Sequence, residues 1–365
     1  MNPVMDKAEI LAWLRETDPR RMESLWRAAD ATRQARVGDA VHLRGLVEIS
    51  NHCVRQCAYC GLRAGHGPLV RYRMAADEIV ATARQAVALG YGTVVLQAGE
   101  DYGLTTEGVA GLVRRIKQET PLAVTLSLGE RPEEDLAAWR TAGADRYLLR
   151  FETSDRALFD AIHPPLGRRP CDRFALLRQL RALGYETGSG IMVGIPGQTC
   201  VSVAEDILLF RELDLDMIGI GPFIPHPATP LGTGPGNSPA AGGDQAPNTE
   251  LMVYKAVALA RLARPDANIP ATTALATINK FNGRELGLQR GANVFMPNLT
   301  PMQYRKLYEI YPDKACIGET GDACHSCLAL RIQTIGRHVG TGPGGRRRPA
   351  AAPAPQPQPE TICHA

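Results

Sequence analysis

From about residue 41 onward the chain repeats one pattern: a short apolar or β-branched run, a polar or Gly-containing turn, then a stretch whose apolar residues recur every three to four positions. The runs predict strands at 43–49, 93–97, 123–128, 146–151, 190–193, 217–221, 269–273 and 293–296. Between them, 77–89 sets Val80, Ala83 and Val87 on one face and stops at Gly90. The segment 173–183 does the same with Leu176, Leu177, Leu180 and Leu183 before Gly184. Both read as amphipathic helices ended by a glycine that can turn left-handed. Strands alternating with helices at this rhythm predict parallel strands joined by right-handed crossovers. Eight such units predict an α/β fold, a (β/α)8 TIM-type barrel.

The barrel is expected over 39–312, with a flexible insertion at 232–248, where Gly, Pro, Ala, Ser and Asn dominate. Residues 1–38 predict a helical extension anchored by Leu11, Leu14, Leu25 and Trp26 at the closed end of the barrel. A further segment, 313–339, follows the barrel. The last stretch, 340–365, has no apolar period and predicts a disordered tail, with Arg346, Arg347 and Arg348 solvated. In such barrels the active site lies at the C-terminal ends of the strands. The polar residues there are Ser50 and Asn51 after the first strand, Gln97 to Asp101 after the second, Thr125 and Ser127 on the third, Arg150 and Glu152 on the fourth, and Thr272 and Thr273 on the seventh.

Charge narrows the partners. Lys and Arg number 41 against 38 Asp and Glu, a net of +3, so nucleic acid is not expected as a partner. No apolar run reaches the roughly 18 residues that cross a bilayer, and the N-terminus carries no basic start followed by an apolar stretch. These features predict a cytoplasmic protein that does not bind membranes. Nine cysteines then favour metal or redox chemistry over a disulfide framework.

Cys53, Cys57 and Cys60 form one group spaced x3 and x2, directly after the first strand, with Tyr59 before the last. Three thiolates in one loop can wrap an iron-sulfur cubane and leave one of its four irons open. Zinc completed by His52 is the alternative, although four-ligand zinc sites usually come as two separated pairs. Cys316, Cys324 and Cys327 form a second trio, which suits an auxiliary cluster or a zinc site completed by His325. Cys171, Cys200 and Cys363 stand alone and are given no role.

The three-cysteine loop with an aromatic before its last Cys, at the head of a barrel, resembles the radical SAM superfamily. Within it, the chain is similar to the HydE family of [FeFe]-hydrogenase maturases. That resemblance spans roughly 40–330 and is carried by Cys60-Gly-Leu-Arg63, Arg71-Tyr-Arg-Met74, Val95-Leu-Gln-Ala-Gly-Glu-Asp101, Val124-Thr-Leu-Ser-Leu-Gly-Glu130, Ala144-Asp-Arg-Tyr-Leu-Leu-Arg150, Gly194-Ile-Pro-Gly-Gln-Thr199, Gly219-Ile-Gly-Pro-Phe-Ile-Pro-His-Pro227, Ile269-Pro-Ala-Thr-Thr273 and Met296-Pro-Asn298. Phe151 stands where this family usually has histidine.

The resemblance implies a [4Fe-4S] cluster on Cys53, Cys57 and Cys60, with S-adenosyl-L-methionine (SAM) bound at its open iron. It places Tyr59, Gln97, Gly99, Glu100, Ser127, Glu152 and Arg173 around SAM. The turn of Gln97 to Glu100 would meet the SAM ammonium, Ser127 the methionine part, and Arg173 the carboxylate. Arg150, Thr272, Thr273, Met296 and Tyr308 would line the substrate. A second [2Fe-2S] or [4Fe-4S] cluster would sit on Cys316, Cys324 and Cys327. The implied activity is generation of a 5'-deoxyadenosyl radical that processes a small cysteine-bound iron carbonyl cyanide precursor. Ferredoxin or flavodoxin would supply electrons, and other hydrogenase maturases would be partners. Another radical SAM reaction of the biotin synthase and methylornithine synthase subgroup, or an iron-sulfur scaffold without turnover, are the alternatives.

Overall fold

The computed structural model describes residues 5–167, 172–233, 243–318 and 321–346, with the backbone alone for 321–324 and 326. Cys171, Cys363, Arg347, Arg348 and most of the insertion lie outside the described residues. The strands are β1 (Ala40–Ser50), β2 (Thr93–Ala98), β3 (Ala123–Ser127), β4 (Arg146–Leu148), β5 (Glu186–Val193), β6 (Met217–Pro222), β7 (Val294–Phe295) and β8 (His338–Val339). They pair in parallel in the order β6-β5-β4-β3-β2-β1-β7.

Between β6 and β7 the ring is completed by two single bridges, Met217 with Asn268 and Pro270 with Val294. The strand expected at 269–273 is therefore reduced to bridge contacts. Pro270 has no N–H to give to a ladder. Thr272 already caps the helix Thr273–Ile278, its hydroxyl accepting from Leu275 N at 3.4 Å. β5 begins earlier than its apolar run, at Glu186, because its Thr-Gly-Ser opening is buried in the ring. Ser189 there donates its hydroxyl to Leu149 O at 2.8 Å.

The crossover helices turn their apolar faces to the strands. Val80 and Ala83 of Ala76–Ala88, Val113 and Ile116 of Thr106–Glu119, and Leu177 and Leu180 of Arg173–Ala182 are all buried in one core. Burying each Val or Leu side chain contributes about 1.5–3 kcal/mol. Gly90 and Gly184 end two of these helices in the left-handed region, at φ +75° and +85°, as the sequence pattern predicts.

The closed end is built differently from the expectation. β8 pairs with the start of β1, and the chain then crosses the lower mouth of the barrel. Pro343 O accepts from the Thr93 hydroxyl (3.0 Å) and from Arg146 Nη2 (3.1 Å). Gly344 O accepts from Arg44 Nη2 (3.0 Å) and Asn268 Nδ2 (3.1 Å). Arg346, expected to be solvated, has a side chain only 8% exposed that pairs with Asp214 at 2.9 Å and Asp216 at 3.0 Å. The start of the expected disordered tail, 340–346, is thus an ordered stopper.

The N-terminal helices Lys7–Arg15 and Pro19–Val37 pack instead on the flank, against Glu250–Ala263 and Cys200–Glu212. Lys255 Nζ donates there to Leu14 O at 2.9 Å.

Candidate active site

The cysteine loop leaves β1 at Ser50 and is pinned from several sides. Arg71 gives hydrogen bonds to the carbonyls of Asn51 (2.6 Å), Leu62 (2.8 Å) and Arg63 (2.8 Å), tying the two ends of the loop together. Val54 N donates to Glu100 O (3.0 Å), Ala58 N to Ile162 O (2.8 Å) and Gly61 N to Ile310 O (3.0 Å). Gly99 must be glycine for the loop to lie so close: a Cβ there would fall 2.2 Å from His52 O and 2.8 Å from Cys53 Cβ.

Cys53 and Cys60 line a cavity of about 240 Å³, while Cys57 lies behind them with its Sγ 3.0 Å from His163 Nδ1. All three are free thiols. Burial pushes Cys57 up to about 12 and raises Cys53 and Cys60 as well, so the apolar wall disfavours bare thiolates. A bound metal offsets that cost. Among the described residues no three His, Cys, Asp or Glu side chains converge as they would on a single ion. Three thiols on one loop, two of them on the cavity wall, suit a multi-iron cluster with an open iron better than the two separated pairs of a zinc site.

The same cavity is lined by Tyr59, Gln97, Gly99, Ser127, Arg150, Glu152, Arg173 and Tyr308. Glu152 holds φ +64°, a backbone state that costs a non-glycine residue on the order of 1–3 kcal/mol. The surrounding sheet enforces it: Glu152 N donates to Gly190 O at 3.0 Å and Met192 N to Glu152 O at 3.0 Å. Two residues on, Ser154 N donates to Asp206 Oδ1 at 2.5 Å. One Glu152 oxygen is reached by the Tyr59 hydroxyl at 3.5 Å. The other is buried 3.1 Å from Arg150 Nη2, but misaligned and without a hydrogen bond. A carboxylate so held suits a cationic ligand.

Arg173 Nε donates to Glu130 Oε1 at 2.9 Å, and its Nη1 donates to Arg150 O. Glu130 also takes Arg55 Nη2 at 2.7 Å, and Arg55 Nε reaches Glu100 at 2.8 Å. Glu100 accepts in addition from Glu130 N at 3.0 Å. Its carboxylate is therefore turned into this buried network and away from the cavity, leaving only the turn that carries it near the site.

Below this cavity, and sharing Gln97, Ser127, Arg150 and Tyr311 with it, lies a deeper space of about 170 Å³ inside the barrel. Thr272, Thr273 and Met296 line it, with Arg44, Thr125 and Met217. Thr125 Oγ1, Arg44 Nε and Arg150 Nε are buried there with no hydrogen bond. Tyr311, at the end of the expected barrel, and Lys314, just beyond it, also line this lumen, and Lys314 is ion-paired with buried Glu48. Sequence reasoning missed both, along with Arg44, Arg71, Glu130 and His163, because each acquires its partners only across the fold. Phe151 is buried against Phe174 and Phe210, with tilted rings at centroid distances of 5.2 and 5.9 Å, and lines neither cavity.

The second trio lies apart from the ring of strands. Cys316 adopts φ +63° and its Sγ accepts from Arg284 Nη1 at 3.3 Å. Cys327 is exposed on the helix Gly321–Thr334, and the Cys324 side chain lies outside the described residues.

Comparison with known proteins agrees with this geometry. The profile of the radical SAM superfamily matches residues 47–227. The [FeFe] hydrogenase maturase subunit HydE of Thermotoga maritima is 47% identical over 326 residues, covering 89% of each chain. The 3-methylornithine synthase of Methanosarcina acetivorans is 28% identical over 275 residues, covering 75% of this chain and 73% of its own. The crystal structure of methylornithine synthase (PylB) superposes with a TM-score of 0.79 at 23% identity, over 93% of this chain and 95% of that one, and so shares the fold. A radical SAM enzyme fold, the cluster-type cysteine loop and near-half identity along almost the whole chain place this protein in the HydE family of [FeFe]-hydrogenase maturases.

Proposed function

We propose that this protein processes a small, cysteine-bound iron carbonyl cyanide precursor on the way to the diiron site of [FeFe]-hydrogenase. The observation that carries this reading is the lumen. Its unpartnered donors on Arg44, Arg150 and Thr125 suit a compact anion with several acceptor atoms, and Met217 and Met296 give it soft walls. An unmet buried donor costs about 1–3 kcal/mol, which such a ligand would recover. The kinship with the Thermotoga maritima maturase supports the same reading.

In this family a reduced [4Fe-4S] cluster supplies the electron that splits bound SAM into methionine and a 5'-deoxyadenosyl radical. Cys53, Cys57 and Cys60 would hold that cluster. Glu152 would face the cationic part of SAM, Arg173 its carboxylate, Ser127 the methionine chain, and the backbone of the turn Gln97 to Glu100 its ammonium. Tyr59 and Tyr308 lie on the wall of the same cavity, where Tyr59 would border SAM and Tyr308 would line the substrate, and both would help to exclude water. Arg150, Thr272, Thr273 and Met296 would fix the precursor in the lumen. Cys316, Cys324 and Cys327 would hold a second [2Fe-2S] or [4Fe-4S] cluster. Ferredoxin or flavodoxin would donate electrons, and other maturases would supply and receive the iron species.

Anaerobic reconstitution tests the reading. The loaded protein should release 5'-deoxyadenosine and methionine from SAM and convert a precursor carrying labelled cyanide, followed by its infrared bands. Replacing Cys53, Cys57 and Cys60 by Ala should abolish both. SAM cleavage that leaves the precursor bands unchanged would overturn the substrate and favour an organic one, as for the related synthases.

A further inference from the structure

The lumen of the barrel holds an ion pair with no part in the chemistry described so far. Glu48 is the only carboxylate among the described residues that line this space, against the cations Arg44, Arg150 and Lys314. Glu48 is 1% exposed and Lys314 5%, and Lys314 Nζ donates to Glu48 Oε1. Taking two charges out of water often costs as much as their attraction returns, so such a pair is weak evidence of a stabilising role.

Each partner also has anchors of its own. Glu48 N donates to Thr300 Oγ1 at 2.9 Å, and Glu48 O accepts from the Tyr72 hydroxyl at 2.7 Å. Its second carboxylate oxygen accepts from Asn298 Nδ2 at 3.1 Å and from the Thr300 hydroxyl at 3.4 Å. The chain beyond Lys314 is held in turn by the barrel: Ala315 N donates to the Thr277 hydroxyl at 3.0 Å, and Arg305 Nη1 to Cys316 O at 3.3 Å. The ammonium is thus not what fixes either backbone. It carries three N–H donors. Glu48 takes one, and Tyr308 O, at 3.5 Å, engages a second only at the limit of a hydrogen bond. Donor capacity remains at the wall of a cavity.

We propose that Lys314 and Glu48 together determine which charge the lumen accepts. Lys314 is a substrate-binding residue that donates to an acceptor atom of the anionic precursor, and Glu48, its partner in the empty barrel, opposes the anion. The inference rests on the reading that the lumen takes an iron carbonyl cyanide anion. A lysine ammonium is a compact charge on a flexible stem, so it can share its donors between Glu48 and a ligand without leaving its place. Because the two side chains carry opposite charges at one wall, they act on an anion with opposite sign. A pair kept only for structure would not, since loss of either partner would then damage the same wall.

Anaerobic titration of a synthetic cysteine-bound iron carbonyl cyanide complex into the full-length reconstituted protein, without SAM and followed by the infrared bands of the bound complex, tests this. Lys314→Met keeps the reach of the side chain and removes its charge. It should weaken binding about ten- to a hundredfold. Glu48→Gln keeps the shape, releases the ammonium to the ligand and should tighten binding about threefold or more. Should either single variant fail to load iron, the double variant Glu48→Gln/Lys314→Met decides, because it leaves no buried charge unpaired. It should bind the complex more weakly than the wild type does. Unchanged affinity in Lys314→Met, weaker binding in Glu48→Gln, or a double variant equal to the wild type would each overturn the inference. A wild type that binds no complex would remove the substrate reading and this inference with it, whereas a wild type whose affinity is indifferent to Lys314 would remove only the inference.

Discussion

Glu152 combines an unfavourable backbone state with a buried carboxylate oxygen that has an ion-pair partner in Arg150 but no hydrogen bond. A cation at that position offsets both costs. Glu152→Gln keeps the shape and removes the charge. Arg173→Lys keeps the charge and removes the fork whose five donors serve several partners at once. A charge-assisted contact contributes about 1.5–3 kcal/mol. Each change should therefore weaken SAM binding about ten- to a hundredfold, with iron content and cluster absorption unaltered, as calorimetric titration of the reconstituted variants would register. Glu152 stood out in the sequence as a polar residue closing the fourth apolar run, whereas Arg173 was singled out only by the family resemblance. Glu130 and His163 were not legible, since their partners Arg55, Arg173 and Cys57 come from separate loops. The sequence reading also placed Glu100 in the SAM site without foreseeing that Arg55 and Glu130 N would draw its carboxylate away.

At the scale of elements, the helix Cys200–Glu212 holds the loop after β4 through Asp206. This side chain is fully buried, and burial pushes it up to about 7, while one of its oxygens has no hydrogen bond. The folded protein thus binds a proton that the unfolded chain releases near pH 4. Stability falls as pH rises between these two values, and the whole penalty, on the order of 4 kcal/mol, is present above pH 7. Asp206→Asn can still accept from Ser154 N and carries no charge. Its melting temperature should exceed that of the wild type at pH 8 by several degrees, with the gap closing at pH 4. A gap independent of pH would refute this account. The stopper formed by 338–346 makes a second prediction. Ending the chain after Arg337 removes the carbonyls that satisfy Arg44, Arg146 and Asn268 and the cation that pairs with Asp214 and Asp216. Buried groups left unmet cost about 1–3 kcal/mol each, so this truncation should lower the denaturant midpoint clearly, whereas ending after Arg346 should not. The repeating strands and helices were legible because they carry apolar periods. The stopper was not, because its Gly-Pro-Gly-Gly run contributes backbone oxygens, which leave no mark on hydrophobic pattern. The bridge at 268–270 was misjudged for the opposite reason, being apolar enough to resemble a strand while Pro270 forbids one.

Across the whole molecule, the two cysteine groups occupy separate structural territories. The first closes over the cavity at the C-terminal ends of the strands, and the second lies outside the ring, on the segment that follows it. Replacing Cys316, Cys324 and Cys327 together by Ala should lower iron per chain yet leave 5'-deoxyadenosine yield within about twofold of the wild type, because among the described residues neither Cys316 nor Cys327 lines either barrel cavity. Loss of SAM cleavage in a folded variant with a normal first cluster would make the second site part of the reaction. The segment between them is less separate, since Tyr308, Tyr311 and Lys314 reach back into the barrel. No helix among the described residues is long and apolar enough to cross a membrane.

The stopper across the lower mouth also governs traffic. Among the described residues 338–346 lie across that end, and the deep lumen adjoins, on its other side, the space where SAM is proposed to bind. A lumen entered through that space would load in a fixed sequence: the iron precursor first, SAM second, and the spent nucleoside out before the altered iron species can leave. Excess SAM should then delay turnover by arriving early, and pre-incubation with precursor should abolish the delay. Equal rates for either order of mixing would mean that the barrel has another way in.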